Sequence, residues 1–396
     1  MPAPVLIVGG GIGGLTAALA LARTGHEVRL FERAPEFSEV GAGLQLGPNA
    51  MKVLAALGVA EQVAEAGFSP RAAVIRLGSS GLKVFEMALG EAARRRWGAP
   101  YVQIHRADLV TILAEAAAAA GAELNSGCAA GKFRAHVEVT LELADGSRAE
   151  GAALIGADGL GSGIQAQLFG PEAPRFTGQV CWRATLPTNA LPPGTVAPDA
   201  TIWTGPGAHL VAYYLRGGRM INIVAVTERS DWRREGWAEP GDPQALRAAF
   251  AGWHSAIRTM LEAVERCTLW ALHDRPVLPE WGRGPVTLLG DACHPMLPFL
   301  AQGAAMAIED AWVLARCLQA GADTAAALRR YEAARRPRTA RVQAEARRNA
   351  RRFHRRSLSG RLGEFGPMAL ATRLAPGAFP AVFDWLYGAD VTRVPG

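Results

Sequence analysis

The string Gly9-x-Gly11-x-x-Gly14 narrows what this chain can fold into more than any other feature. It follows a short apolar run, residues 5–8, and opens an Ala/Leu-rich stretch, residues 15–24, that reads as a helix. A second apolar run, residues 28–31, ends at Glu32, so strand, turn, helix and strand are complete within 32 residues. In such a unit the first glycine permits a tight turn, the second lets a pyrophosphate approach the backbone, and the third lets the helix lie close on the strand. The helix start offers free N–H donors and a partial positive charge to the phosphates. Glu32, 18 residues beyond Gly14, stands where an acid can accept the hydroxyls of an adenosine ribose. In a chain with 45 glycines the string alone would signify no more than a turn. Its flanking strand, helix and acid make dinucleotide binding the expectation.

Residues 289–310, LGDACHPMLPFLAQGAAMAIED, form a second half of that site. An apolar strand, 286–289, ends in Gly290-Asp291, a proline-bracketed loop follows, and Gly303-Ala304-Ala305 opens a helix expected over 301–319. Asp291 can accept a ribityl-type hydroxyl. Gly303 admits a flat ring to free backbone N–H groups, whose donors and helix dipole favour negative charge on it. A reduced flavin is such an anion. A nicotinamide dehydrogenase needs no second strand, loop and helix of this kind, so the pairing tilts the dinucleotide toward FAD.

Between these halves the texture changes. Helices are expected over 49–57, 60–66 and 106–120, the last closed by Gly121, with strand alternation over 74–87 and 137–143 and a hairpin at Asp145-Gly146. Residues 177–270 carry Trp182, Trp203, Trp232, Trp237, Trp253 and Trp270, with alternating runs at 210–215 and 220–226, and read as antiparallel sheet. The expected fold class is α/β: a Rossmann-like unit (1–72, 98–176, 271–332) interleaved with an antiparallel or mixed sheet domain (73–97, 177–270). A C-terminal helical segment (333–396) follows. Its helix, 333–356, has Pro337 near the start and a stripe of Thr339, Val342, Ala346, Asn349 and Phe353 that needs a surface to cover, in the same chain or in a homodimer.

Composition removes several classes. With 49% apolar and 20% charged residues the chain is an ordinary globular one. Cys128, Cys181, Cys267, Cys293 and Cys317 show no Cys-x-x-Cys pairing, so no disulfide framework and no metal site is expected. No run is long and apolar enough for a membrane span, and no leader precedes the first strand, so a cytoplasmic location is expected. Residues 329–361 hold 13 Arg against Glu332 and Glu345, a local +11 in a chain whose total is +6. Nucleic-acid binding is the alternative this helix raises. The apolar stripe and the lack of interleaved aromatics argue for a packed helix with a solvated Arg face, and for no nucleic-acid partner.

The motifs VGGGIGG (8–14) with Glu32 and Arg33, GAGLQLGPNA (41–50), HRADL (105–109), IGADG (155–159), LGDACHP (289–295) and YEAARRPR (331–338) together resemble single-component FAD-dependent aromatic hydroxylases. This flavoprotein monooxygenase group includes salicylate, 3-hydroxybenzoate and 6-hydroxynicotinate hydroxylases, and the similarity runs over nearly the whole chain. The resemblance implies FAD as cofactor, NADH or NADPH as transient reductant, and dioxygen and a small aromatic as substrates. Dioxygen would add at flavin C4a, and the terminal hydroperoxide oxygen would pass to an electron-rich ring. Arg106 would lie by the FAD phosphates, Asp158 by the pyrophosphate and Asp291 by the ribityl chain. One departure stands out: Gln165 occupies a position where the family commonly has Arg.

Such chemistry needs a dry pocket and a base that deprotonates the ring hydroxyl. His209 and Tyr213 lie four apart on one strand and so share a face; His209 suits phenol activation and Tyr213 orientation or a proton relay. By the resemblance both face substrate, Pro298 lies beside the reacting carbon, and Gln45 and Phe299 line the cavity. His105, His294 and Cys293 read as packing residues. A flavin oxidase or dehydrogenase without oxygen transfer is the competing reading.

Overall fold

Short apolar runs that lack polar alternation become parallel strands buried on both faces, because a helix layer covers each side. The computed structural model describes residues 3–37, 42–229, 239–321, 323–374, 377 and 379–393, so Gly41, Trp232 and Trp237 lie outside the described residues. A six-stranded sheet runs in the order Gly282–Arg283, Val286–Leu288, Ala153–Gly156, Val5–Val8, Val28–Phe31, Glu123–Asn125. All neighbours are parallel except the first pair. Val5–Val8 and Ala153–Gly156 are buried at every residue. Helix Ile12–Arg23 packs between helices Arg106–Ala119 and Gly303–Ala320. Gly13 lets this happen: a Cβ there would meet Leu289 Cδ2 at 2.7 Å and Ala307 Cβ at 3.3 Å.

The second sheet has eight strands in the order Glu239–Gly241, Cys267–Asp274, Arg175–Pro187, Met220–Glu228, Ala208–Leu215, Ala200–Gly205, Ala72–Leu77, Lys83–Ala88. It is mixed, since Ala200–Gly205 and Ala72–Leu77 run parallel. Here side chains alternate, as two-faced strands require. Val180, Trp182, Ala184 and Leu186 share a core with Phe250, Ile257 and Met260 beneath the sheet. The opposite face turns Cys181 and Val226 toward the core of the first sheet. Register places Cys181, Val226 and His209 side by side, and four residues further along Thr185, Asn222 and Tyr213.

The C-terminal helix differs from its expected form. It spans Thr324–Phe353, capped by Asp323 Oδ1 accepting from Ala326 N at 3.2 Å, so Pro337 lies in its interior rather than near its start. The stripe is covered by the same chain: Thr339, Val342, Ala346 and Phe353 are buried and Asn349 is half-buried. It therefore offers no surface to a second subunit. Nor is the Arg face uniformly solvated. Arg335 is fully buried, and Arg347 makes a bidentate pair with Asp274 at 2.6 and 2.9 Å. The helix is a brace behind the loop that joins the two sheets' faces. Tyr331 Oη donates to Leu288 O, Gln343 Nε2 to Pro295 O and Asn349 Nδ2 to Phe299 O, at 3.1, 2.7 and 3.0 Å.

Candidate active site

Four adjacent parallel strands end one to three residues before Gly9, Glu32, Asp158 and Asp291, so these residues gather along one carboxyl edge of the sheet. Ligands bind at that edge in open α/β folds. Gly9 has φ +108°, and a Cβ on it would lie 2.3 Å from Ala157 O; one on Gly14 would lie 1.9 Å from Gly9 O. No side chain fits at either position. The strand–turn–helix junction closes only because both are glycine. Gly11 begins helix Ile12–Arg23 without a side-chain cap, leaving its first N–H groups for a ligand. Beside them opens a cavity of about 450 Å³ lined by Gly9, Gly11, Glu32, Arg33, Asp158 and Gly163, among others. Glu32 accepts from Gly10 N at 2.5 Å and from Ala34 N at 2.8 Å, which fixes the carboxylate at the cavity wall. Asp158 accepts from Ser162 Oγ and Ile164 N at 2.6 and 3.2 Å; burial pushes its carboxyl up, and these hydrogen bonds oppose the shift.

Asp291 lies deep in the protein, yet its side chain faces open space. Burial raises its pKa, while His294 and Arg106 pull it down. Gly303 and Ala304 begin an 18-residue helix, and a Cβ on Gly303 would come within 3.9 Å of Asp291 Oδ1. Acid and helix start thus face the same space. Arg106, the first residue of its own helix, has its guanidinium pKa lowered by burial and by Arg183, and raised by Asp291. Gln165, the departure from the family pattern, is buried in helix Gly163–Phe169, with its backbone N–H on Ser162 Oγ at 2.9 Å.

The loop between Asp291 and Gly303 is held from behind by a buried ionic cluster. His294 Nε2 lies 2.5 Å from Asp310 Oδ2, and Arg335 bridges Asp310 and Glu309, both at 2.7 Å. Arg338 makes a second, bidentate pair with Glu309 at 2.7 and 2.8 Å. Asn49 joins Glu309 at 2.7 Å to Gln302 at 3.0 Å, the residue before Gly303. His294, read from sequence as packing, is instead a polar anchor of this loop. Burial alone would raise both carboxyls, but Arg335 and Arg338 around Glu309, and His294 and Arg335 around Asp310, leave each below its ordinary value. Next to Gln302, Ala301 holds φ +51°, a conformation costly for a residue with a Cβ. In the 3-10 segment Pro298–Leu300 that precedes it, Pro298 is exposed and Phe299 buried.

The sheet face opposite that loop carries His209 and Tyr213, both nearly inaccessible. The His209 ring meets Phe299 edge-on, with centroids 5.0 Å apart. His209 Nδ1 lies 2.7 Å from Nε2 of His354, at the C-cap of the long helix. Burial, and next the neighbouring His354, hold the His209 pKa well below the usual imidazole value. Among the described residues Tyr213 Oη makes no hydrogen bond, and burial pushes its phenol up, so it is an O–H donor. Its Oη would lie 2.9 Å from a Cβ on Gly43, whose N–H donates to Asn222 Oδ1 at 2.7 Å. Gln45, on the adjoining strand Gly43–Leu46, accepts from Tyr101 Oη at 2.9 Å. His354, Asn222, Tyr101 and Arg183 were not singled out by sequence. They lie in no motif and reach the site only through sheet register and helix docking. Among the described residues no cluster of His, Cys, Asp or Glu could hold a metal, and no helix is long and apolar enough to cross a membrane.

A glycine-tight turn, an acid at the second strand's end, and an acid beside a helix start at the far strand, with a second sheet alongside, have the form of a dinucleotide-binding flavoprotein. Residues 2–346 match the family model described as FAD binding domain, and the chain belongs to that family. It is 37% identical to a 3-amino-4-hydroxybenzoate 2-monooxygenase of Streptomyces platensis, covering 98% of this chain and 97% of that one. It is 39% identical to a 6-hydroxynicotinate 3-monooxygenase of Bordetella bronchiseptica, covering 86% and 89%. Among solved structures, a salicylate hydroxylase substrate complex superposes with a TM-score of 0.83 at 26% identity, covering 99% and 96%. The protein is an FAD-dependent aromatic monooxygenase of mixed α/β fold, and the oxidase reading is not favoured. The cradle fits FAD: no side chain fits at Gly9 or Gly14, and the Asp291 carboxylate stands open beside a free helix start.

Proposed function

We propose that the protein hydroxylates a small electron-rich aromatic carrying a ring hydroxyl, either a phenol or a hydroxy-heteroaromatic and in some cases a carboxylate, with NADH or NADPH as reductant. Gly9, Gly11, Gly14, Glu32, Arg33, Arg106 and Asp158 would hold the adenosine and phosphates, and Asp291, Gly303 and Ala304 the ribityl chain and ring. Reduced FAD, when bound, supplies the electrons that activate dioxygen. His209 receives the hydroxyl proton at Nε2, the nitrogen that His354 leaves unengaged, and burial keeps the imidazole neutral and able to accept it. Tyr213 orients the substrate as a donor. Pro298 edges the reacting carbon, and Phe299 and Gln45 wall the cavity; the apolar ring of Phe299 keeps water from the reacting oxygen.

The observation that carries this reading is the facing of His209 and Phe299 across 5.0 Å, sheet against loop. A panel of hydroxylated benzoates, pyridines and quinolines, screened for accelerated NADH and NADPH oxidation with mass detection of product, tests it. His209→Ala is expected to keep its FAD and lose about 10²- to 10⁴-fold in hydroxylation rate, with more uncoupled peroxide. An unchanged rate and coupling across the pH range would remove His209 from the mechanism. The same reading places the enzyme in the cytoplasm without a nucleic-acid partner. It assigns any homodimer contact to the exposed Leu362, Leu370 and Leu374 of helix Leu358–Leu374, so that sedimentation of the L362E/L370E variant should read a monomer.

A further inference from the structure

A base that is buried and held neutral cannot keep the substrate's proton as a charge and must pass it on. His209 has no direct path to solvent: it is 2% exposed, enclosed by Phe299, Phe353 and His354 with centroids 5.0, 5.5 and 5.0 Å away. Its one hydrogen bond among the described residues runs from Nδ1 to His354 Nε2. His354 is itself 4% exposed, and its Nδ1 lies 3.5 Å from Glu228 Oε1. The Glu228 side chain is 34% exposed and pairs at the surface with Arg356, which is 72% exposed. Base, imidazole, carboxylate and water therefore form a continuous line from the sheet face to solvent.

We propose that His354, supplied by the end of the C-terminal helix, is the relay that carries the substrate's hydroxyl proton from His209 outward to Glu228 and water. This rests on the hydroxylase reading above. The substrate O–H bond breaks as N–H forms at His209 Nε2. The His209 Nδ1–H proton moves to His354 Nε2, the His354 Nδ1–H proton moves to Glu228 Oε1, and Glu228 releases it to water. No electrons are exchanged, and the reverse transfer reprotonates the product and restores both tautomers. Gln179 accommodates either tautomer. Its Nε2 lies 3.0 Å from His354 Nδ1 and its Oε1 has no partner among the described residues, so the amide can present either atom by turning over. Among the described residues Glu228 and Arg356 are the charged groups facing the His354 ring; from the other packed elements the ring meets His209, Gln179 and Phe299, and Gly207 N–H donates to the His354 carbonyl at 3.2 Å. Burial, opposed by Glu228 and aided by Arg356, lowers its pKa to about 4, so at neutral pH it is a free acceptor. Because His354 acts through His209, it is a positioning residue for proton flow and touches no substrate.

The probe is 3-amino-4-hydroxybenzoate with NADH or NADPH, followed by product mass and, within a single turnover, by a pH-indicator dye that reads the transient release of the substrate proton before the product takes one back. His354→Gln keeps a hydrogen-bonding amide but cannot relay. It is expected to retain FAD and to slow hydroxylation and proton release together by ~10- to 100-fold at pH 7. The deficit should close as pH rises past the substrate's own hydroxyl ionisation, where no proton has to leave. A merely structural role would give a deficit that does not change with pH. That outcome, or a wild-type rate at pH 7, overturns the relay. Should His354→Gln fail to bind FAD, Glu228→Gln at the surface decides: ~3- to 10-fold slowing with the same recovery supports the relay, and no change overturns it. Absence of product from the wild-type enzyme on this probe and across the panel of hydroxylated benzoates, pyridines and quinolines overturns the proposed substrate class instead, and the relay falls with it.

Discussion

The long helix Thr324–Phe353 is fastened to the body by two buried polar clusters of opposite character. At its middle, Arg335 and Arg338 engage Glu309 and Asp310, with every charge paired. At its end, His354 and His209 meet as two imidazoles whose pKa values burial has lowered. Both satisfy the rule that buried polar groups find partners. The first, ionised and closed on all sides, fixes the position of the loop that carries Pro298 and Gly303. The second is neutral, able to change tautomer, and ends at a half-exposed carboxylate. Rigid ion pairs hold a site's shape, and unshifted protons give it something to move. The two properties are built at opposite ends of one helix.

Breaking the ionic cluster should have the largest effect. Arg335→Met leaves Glu309 and Asp310 buried with fewer counter-charges and is expected to cost about 3–5 kcal/mol in chemical denaturation of the holoenzyme. A cost under 1 kcal/mol would show that the loop is held by something else. Phe353→Asp comes next, at about 3 kcal/mol, since it removes a buried ring beside His209 and inserts a carboxylate. An unchanged thermal midpoint would contradict the burial of the stripe.

Acid should separate the two clusters. A histidine whose native pKa is lowered takes up its proton in the unfolded state first. His354, depressed from 6.5 to about 4, therefore withdraws stability as pH falls between those values, and below about 4 its contribution is level. Glu309 and Asp310 are depressed carboxyls. Their stabilisation is present above the unfolded values of 4.5 and 3.8 and is lost as pH falls through the lower native ones. Denaturation midpoints across pH 3 to 8 should thus fall in two stages, with His354→Gln reducing only the upper one. A single stage below pH 4 would mean that the imidazoles are not held neutral. The smallest effect is expected at the exposed Arg351 and Arg355: replacement of both by Gln should change stability by less than about 0.5 kcal/mol and leave turnover intact. Arg347, held by Asp274 and Arg275 O, belongs to the packed side, and Arg347→Gln should cost on the order of 1 kcal/mol.

The sequence by itself determined the glycine turn and the acids along the carboxyl edge of the parallel sheet. Gly9, Gly11, Gly14, Glu32, Asp158, Asp291 and Gly303 sit at strand ends and helix starts, where backbone conformation and chain direction are local properties that a few adjacent residues dictate. A positive φ with no room for a Cβ leaves a mark that can be read one motif at a time. Sheet class, the interleaving of the two sheets and the apolar stripe were legible for the same reason, since period two and period 3.6 are written into short windows. The start of the long helix was not, because Pro337 reads as a beginning and only docking through Arg335 and Arg338 keeps it interior. Tertiary structure alone decided that Arg335 faces inward, that His294 anchors a loop, and that His354 meets His209 across 145 positions. Such contacts depend on strand register and on how a helix lies across two sheets. Those are set by the summed packing of many side chains, and no single window of the chain contains them.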